Sequence, residues 1–154
     1  MARIWIVLVV VGALIKVLLL SAGPSEEQRV GAAVAAAVRE ATGPTPASSC
    51  YALSPAGLSE LLGEFGGGEA ATRGAGQLAA CRQLVLHLRA EATPQQLSDF
   101  ARGSVRSVQL RPDGSALVVY LAADRRLGAE LTMSQRAGRW LIDSVAGGAI
   151  AGTE

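Results

Sequence analysis

VRSVQLRPDGSALVVYLAADRRLGAELTMSQRAGRWLIDSV, residues 105–145, is the stretch on which the fold turns. It divides into four short runs with turn signals between them. Val105–Arg111 leads into Pro112-Asp113-Gly114, where proline presets φ and glycine accepts a positive one. Ala116–Ala122 is an almost unbroken apolar run, suited to a strand covered on both faces. Asp124-Arg125-Arg126 interrupts it. Leu127, Ala129, Leu131 and Met133 then alternate with Gly128, Glu130, Thr132 and Ser134, the period of a half-buried strand. Ala137-Gly138 turns the chain. Arg139–Val145 returns with Trp140 and Ile142 on one face and Asp143 opposite them by alternation. Four strands joined by tight turns predict an antiparallel meander, and the residues before it supply helices to cover one side.

Those helices carry their own start and stop signals. Ser25 and Gln28 have capping-box spacing, and Glu26 and Glu27 suit the positive end of a helix dipole. Val30, Ala33, Val34, Ala37, Val38 and Ala41 recur at three and four, a narrow stripe of small residues for packing against a sheet. Gly43, Pro44 and Pro46 end that helix, and Thr45–Ser49 reads as a linker. Ser54 as N-cap and Pro55 at the first position open a second helix bearing Leu58, Leu61, Leu62 and Phe65. Gly66–Gly76 is a Gly/Ala-rich loop without the lysine and hydroxyl residue of a phosphate-binding loop. Gln77–Arg89 is a third helix with Leu78, Cys81, Leu84, Val85 and Leu88 on or beside one face. Thr93-Pro94-Gln95-Gln96 opens a short fourth, directing Leu97 and Phe100 inward.

At the amino terminus, Ile4–Ala22 is an apolar run of about 19 residues, near the ~20 that a membrane-spanning helix needs. Arg3 before it and Glu26 and Glu27 after it orient residues 1–3 to the cytoplasm and the rest outside. A cleaved signal peptide starts in the same way and stays open as the alternative, giving a secreted product. Lys16 lies past the middle of the run, where its side chain snorkels. The expectation is therefore an anchor or uncleaved signal segment over residues 1–23, an extracytoplasmic α+β domain over 24–145 and a flexible tail over 146–154. Of the 14 basic residues all but Lys16 are arginine, and with 13 acidic residues the formal net charge is +1. No run of positive charge is present, which argues against nucleic acid as a partner.

Candidate chemistry is sparse. Cys50 and Cys81 are the two cysteines. In an oxidising compartment they are expected to form a disulfide; free buried thiols and a redox pair are the alternatives. His87 is the single histidine and lies at the edge of the third helix's apolar face, so neither a zinc site nor a catalytic triad can be assembled around it from the sequence. Asp143 is the acid with a chance of facing a cavity, and Trp140 and Tyr120 are aromatic candidates for lining one. No catalytic, cofactor-binding or metal-binding residue is assigned, and no cofactor is expected.

Helices followed by a four-stranded meander closing on Gly138-Arg139-Trp140-Leu141-Ile142-Asp143 resemble the cystatin-like cone of the nuclear transport factor two-like superfamily. More narrowly, Cys50, Leu53, Ser54, Pro55 and Cys81, with the hairpin Asp113–Tyr120, resemble its small exported or membrane-anchored actinobacterial members. The resemblance implies an α+β fold in which three to four helices pack on a curved four-stranded sheet. It implies no single function, because the fold hosts enzymes, ligand carriers and scaffolds. The leading expectation is a non-enzymatic cell-envelope accessory or protein-interaction module, held to the membrane by Ile4–Ala22 and binding an envelope protein. The alternative is a binding protein enclosing a small apolar ligand within the cone. An isomerase or cyclase comes last, and would need His87 or Asp143 inside the cavity.

Overall fold

The computed structural model describes residues 23–65 and 75–149. Helix α1 spans Glu26–Thr42 and a 3-10 helix spans Pro46–Ala52. Helices α2, α3 and α4 follow at Pro55–Glu64, Ala75–Glu91 and Pro94–Ala101. Strands β1 (Ser104–Leu110), β2 (Ala116–Leu121), β3 (Leu127–Arg136) and β4 (Arg139–Ala149) form one antiparallel sheet in chain order. The expected segment Ile4–Ala22 lies outside the described residues, as does most of the Gly/Ala-rich loop. Among the described residues no helix is long and apolar enough to cross a membrane.

Each turn of the meander has a local cause. At the first, Asp113 Oδ1 accepts from the Ser115 amide at 2.9 Å and from its hydroxyl at 2.6 Å, and Gly114 takes φ +82°. These bonds hold the Asp113 carboxyl below its ordinary pKa. At the second, Asp124 Oδ1 accepts from the Arg126 amide, and Arg125 adopts φ +57°. At the third, Ala137 and Gly138 both have positive φ, the two-residue geometry whose twist suits a hairpin.

The core lies between α1 and one face of the sheet. Val30, Val34 and Ala37 meet Val118, Tyr120, Leu131, Met133 and Ile142 there. Val30, Val34, Val118 and Met133 are almost wholly removed from solvent, each contributing about 1.5–3 kcal/mol of apolar burial. Both the capping box at Ser25 and that at Thr93 are formed. The helices make two layers. Helices α1 and α2 lie on the sheet, whereas α3 stacks on α1, α2 and the 3-10 helix.

Several boundaries and orientations differ from the sequence reading. The presumed linker Thr45–Ser49 is largely the 3-10 helix, and its buried Cys50 is bonded to Cys81 of α3. Strand β4 runs to Ala149, past the expected start of a loose tail at Ala146, because Ala146–Ala149 pairs through its backbone with Leu127–Glu130. Only one face of β2 is fully covered: Ala116, Val118 and Tyr120 are buried, while Leu117 and Val119 on the other face are half-buried. In β4, Ile142 pairs with Met133 and Ser144 with Thr132. Asp143 is the extra residue of this bulge, so strict alternation does not set its direction.

Candidate functional site

An open groove of about 520 Å³ lies where the carboxyl end of α1, the 3-10 helix, α3, α4 and the β2–β3 turn converge. Val85 and Leu88 of α3, with Ala92 just past its end, form one wall. Leu97 and Phe100 of α4 form another, and Leu127, 39% exposed, closes the end. Helix α3 is placed here by the Cys50–Cys81 disulfide and by Gln77, whose amide donates to the Ser59 hydroxyl at 2.9 Å. Helix α4 is placed by Tyr120, whose hydroxyl donates to the Phe100 carbonyl at 2.5 Å, and by the Ala123 amide, which donates to the Asp99 carbonyl at 2.8 Å.

Six polar side chains line the groove, and each is bound within the chain. Arg89 Nη1 donates to the carbonyls of Ala41 and Gly43 at 3.2 and 2.7 Å, capping α1. The Thr42 and Ser49 hydroxyls donate to the carbonyls of Val38 and Pro46. Gln96 Oε1 accepts from the Thr93 amide. Asp99 accepts from Gln95 at 2.9 Å and pairs with Arg102 at 3.1 Å. Asp124 accepts from the amides of Arg126 and Leu127. With each polar side chain tied to the chain through at least one atom, the groove presents mainly apolar surface to a visitor.

The residues singled out from sequence are dispersed. Tyr120 is buried in the core against Phe100, ring centroids 5.4 Å apart, and burial raises its phenol pKa. Trp140 is half-buried; its Nε1 donates to Glu26 Oε2 at 3.0 Å. It lines a separate recess of about 410 Å³, floored by Ala33, Ala36 and Ala37 and flanked by Tyr51. His87 is exposed on α3 with Nε2 3.3 Å from Glu91 Oε1. Asp143 sits at the β4 bulge with Oδ1 buried and unpartnered, as is Ser134 Oγ. None of the four lines the groove. Among the described residues no three His, Cys, Asp or Glu side chains gather as a metal site.

The apolar stripes of α3 and α4 were legible as core. That Val85, Leu88, Leu97 and Phe100 are only half-buried and face one another across a groove was not, because it depends on how the second helical layer is offset from the first. Comparison of the chain with protein-family profiles, curated proteins and solved structures finds no match.

Proposed function

We propose that this chain is a non-enzymatic, extracytoplasmic interaction module of the cell envelope, anchored through Ile4–Ala22, that receives an apolar segment of a partner protein in the α1/α3/α4 groove. The observation that carries this reading is that every polar side chain lining the groove is bound within the chain. Such a surface favours apolar contact, and the two carboxylates that line it, Asp99 and Asp124, already accept hydrogen bonds within the chain. The disulfide supports an oxidising, extracytoplasmic setting. Helices preceding an antiparallel meander support the likeness to the cystatin-like cone, which we retain as part of the proposal. The separation of His87 from Asp143, both outside the groove, weighs against an isomerase or cyclase.

A second reading, an envelope protein carrying a small apolar ligand, is favoured by the groove's size. About 520 Å³ falls within the ~300–1,000 Å³ usual for ligand sites. One experiment separates the two. A photo-crosslinking residue is placed at Leu127, and for comparison at exposed Glu130, in the full chain expressed in its own host. A single protein adduct at Leu127, absent at Glu130, is the expected result. An adduct of small-molecule mass at Leu127 transfers the assignment to the second reading. No adduct at Leu127, or the same adducts at both positions, overturns the groove as the binding surface.

A further inference from the structure

We propose that the recess lined by Arg102, Arg106 and Arg125 is a binding site for a phosphoryl group. The recess has a volume of about 580 Å³, and none of the residues lining it is acidic. It lies between the start of β1 and the β2–β3 turn, and it meets the apolar groove at Ala122.

Two separate backbone irregularities bring arginines here. Arg106 is the extra residue of a bulge in β1, between Val105 paired with Tyr120 and Ser107 paired with Val119. A bulge re-aims the side chain it carries. Arg125 holds φ +57°, a conformation that glycine or asparagine adopts at lower cost. Neither side chain has a hydrogen-bond or ion-pair partner among the described residues. Arg102 is fixed instead: Nη2 lies 3.1 Å from Asp99 Oδ1, and Nε donates to the Ser98 carbonyl at 3.3 Å.

The charge balance selects the ligand. Three guanidinium groups less the one carboxylate bound to Arg102 leave two positive charges. A phosphate monoester carries roughly −1.5 to −2 at neutral pH, whereas a carboxylate carries half of that or little more. Planar guanidinium forks also match phosphate oxygens two at a time. A soluble phosphate and the monoester headgroup of phosphatidic acid both present this chemistry. The site stands apart from the groove reading, and its failure leaves that reading untouched.

The test uses the full chain, disulfide intact, in a non-ionic detergent. Calorimetric titrations are run with inorganic phosphate, and with micelles doped with phosphatidic acid or with phosphatidylcholine. R106Q/R125Q is compared with R111Q/R136Q, which removes the same charge elsewhere. The expected result is saturable binding weakened at least tenfold in R106Q/R125Q and less than twofold in R111Q/R136Q. Binding of inorganic phosphate assigns a soluble ligand, and binding confined to phosphatidic acid assigns a lipid. If R106Q/R125Q fails to fold, R125G, which frees the left-handed backbone, is expected to fold and to bind at least threefold more weakly. Absence of saturable binding to both inorganic phosphate and phosphatidic acid, binding of phosphatidylcholine equal to that of phosphatidic acid, or equal weakening in both double variants, overturns the proposal.

Discussion

Tyr120 joins the sheet to the helical layer through one atom. Its ring is buried beside Phe100, and its hydroxyl donates to the Phe100 carbonyl, which fixes the end of α4 that walls the groove. Tyr120→Phe removes that donor and leaves the Phe100 carbonyl to its backbone partner, the Gly103 amide at 3.1 Å, at a cost of about 0.5–1.5 kcal/mol. The same residue sets a pH dependence. Burial raises the phenol pKa above its ordinary value of 10.0. Below pH 10 the phenol is neutral in both folded and unfolded chains, and its contribution is complete. As the pH climbs past 10 the unfolded chain ionises first, so stability is lost until the folded-state pKa is passed. Urea midpoints across this alkaline range should fall more steeply in the natural protein than in Tyr120→Phe; parallel slopes would remove the effect. That Tyr120 would be buried was legible from the apolar run around it, although a run read as covered on both faces gave it no direction. The direction of Asp143 was not legible either, because an extra residue in β4 leaves no glycine or proline signature and cancels the alternation on which the reading depends.

At the level of elements, the docking of α2 on β4 depends on a glycine. Ser54, wholly buried, caps α2 by accepting from the Gly57 amide at 3.1 Å, while its own amide donates to the Ile142 carbonyl at 2.9 Å. Those bonds bring the first turn of α2 so near the strand that a Cβ on Gly57 would run into the Ile142 carbonyl oxygen. Backbone cannot rotate aside as a side chain does, so Gly57→Ala should destabilise by about 1–3 kcal/mol. Gly63 lies in the same helix with nothing near the position of a Cβ. There alanine should stabilise by about 0.5–1 kcal/mol through helix propensity and a less flexible unfolded chain. Opposite shifts of the urea midpoint at unchanged slope are the expected result; shifts of the same sign would mean that α2 is not seated on β4. Such contrasts show what the sequence pattern conveys. Ser54-Pro55 announced where α2 begins, since capping is local. Which of its glycines touches the sheet is a tertiary fact, as is the 3-10 turn before it, whose Pro46-Ala47-Ser48-Ser49 carries no helical periodicity.

For the molecule as a whole, the disulfide adds a covalent tie between two layers that are also joined by the hydrogen bonds of Gln77 and Arg89. Cys50 and Cys81 are separated by 31 positions and are both buried, one in the 3-10 helix and the other in α3. Closing a loop of that length lowers unfolded-chain entropy by an amount worth about 3.7 kcal/mol at 25 °C in the loop-entropy account. Against a total stability of about 5–15 kcal/mol for a domain of ordinary size, this is a large share. The loss should be uneven. Helix α3 contacts mainly the 3-10 helix and α2, whereas β3 is paired on both sides by β2 and β4. Cys50→Ser/Cys81→Ser should therefore lower the denaturant midpoint by an amount equivalent to about 3–4 kcal/mol. It should also speed amide exchange in α3 more than in β3. Because Val85, Leu88 and Arg89 of α3 form one side of the groove, crosslinking from Leu127 should weaken in the same variant while the meander persists. Uniform acceleration of exchange across α3 and β3 would mean instead that helices and sheet unfold as one unit, and that the groove is as durable as the core beneath it.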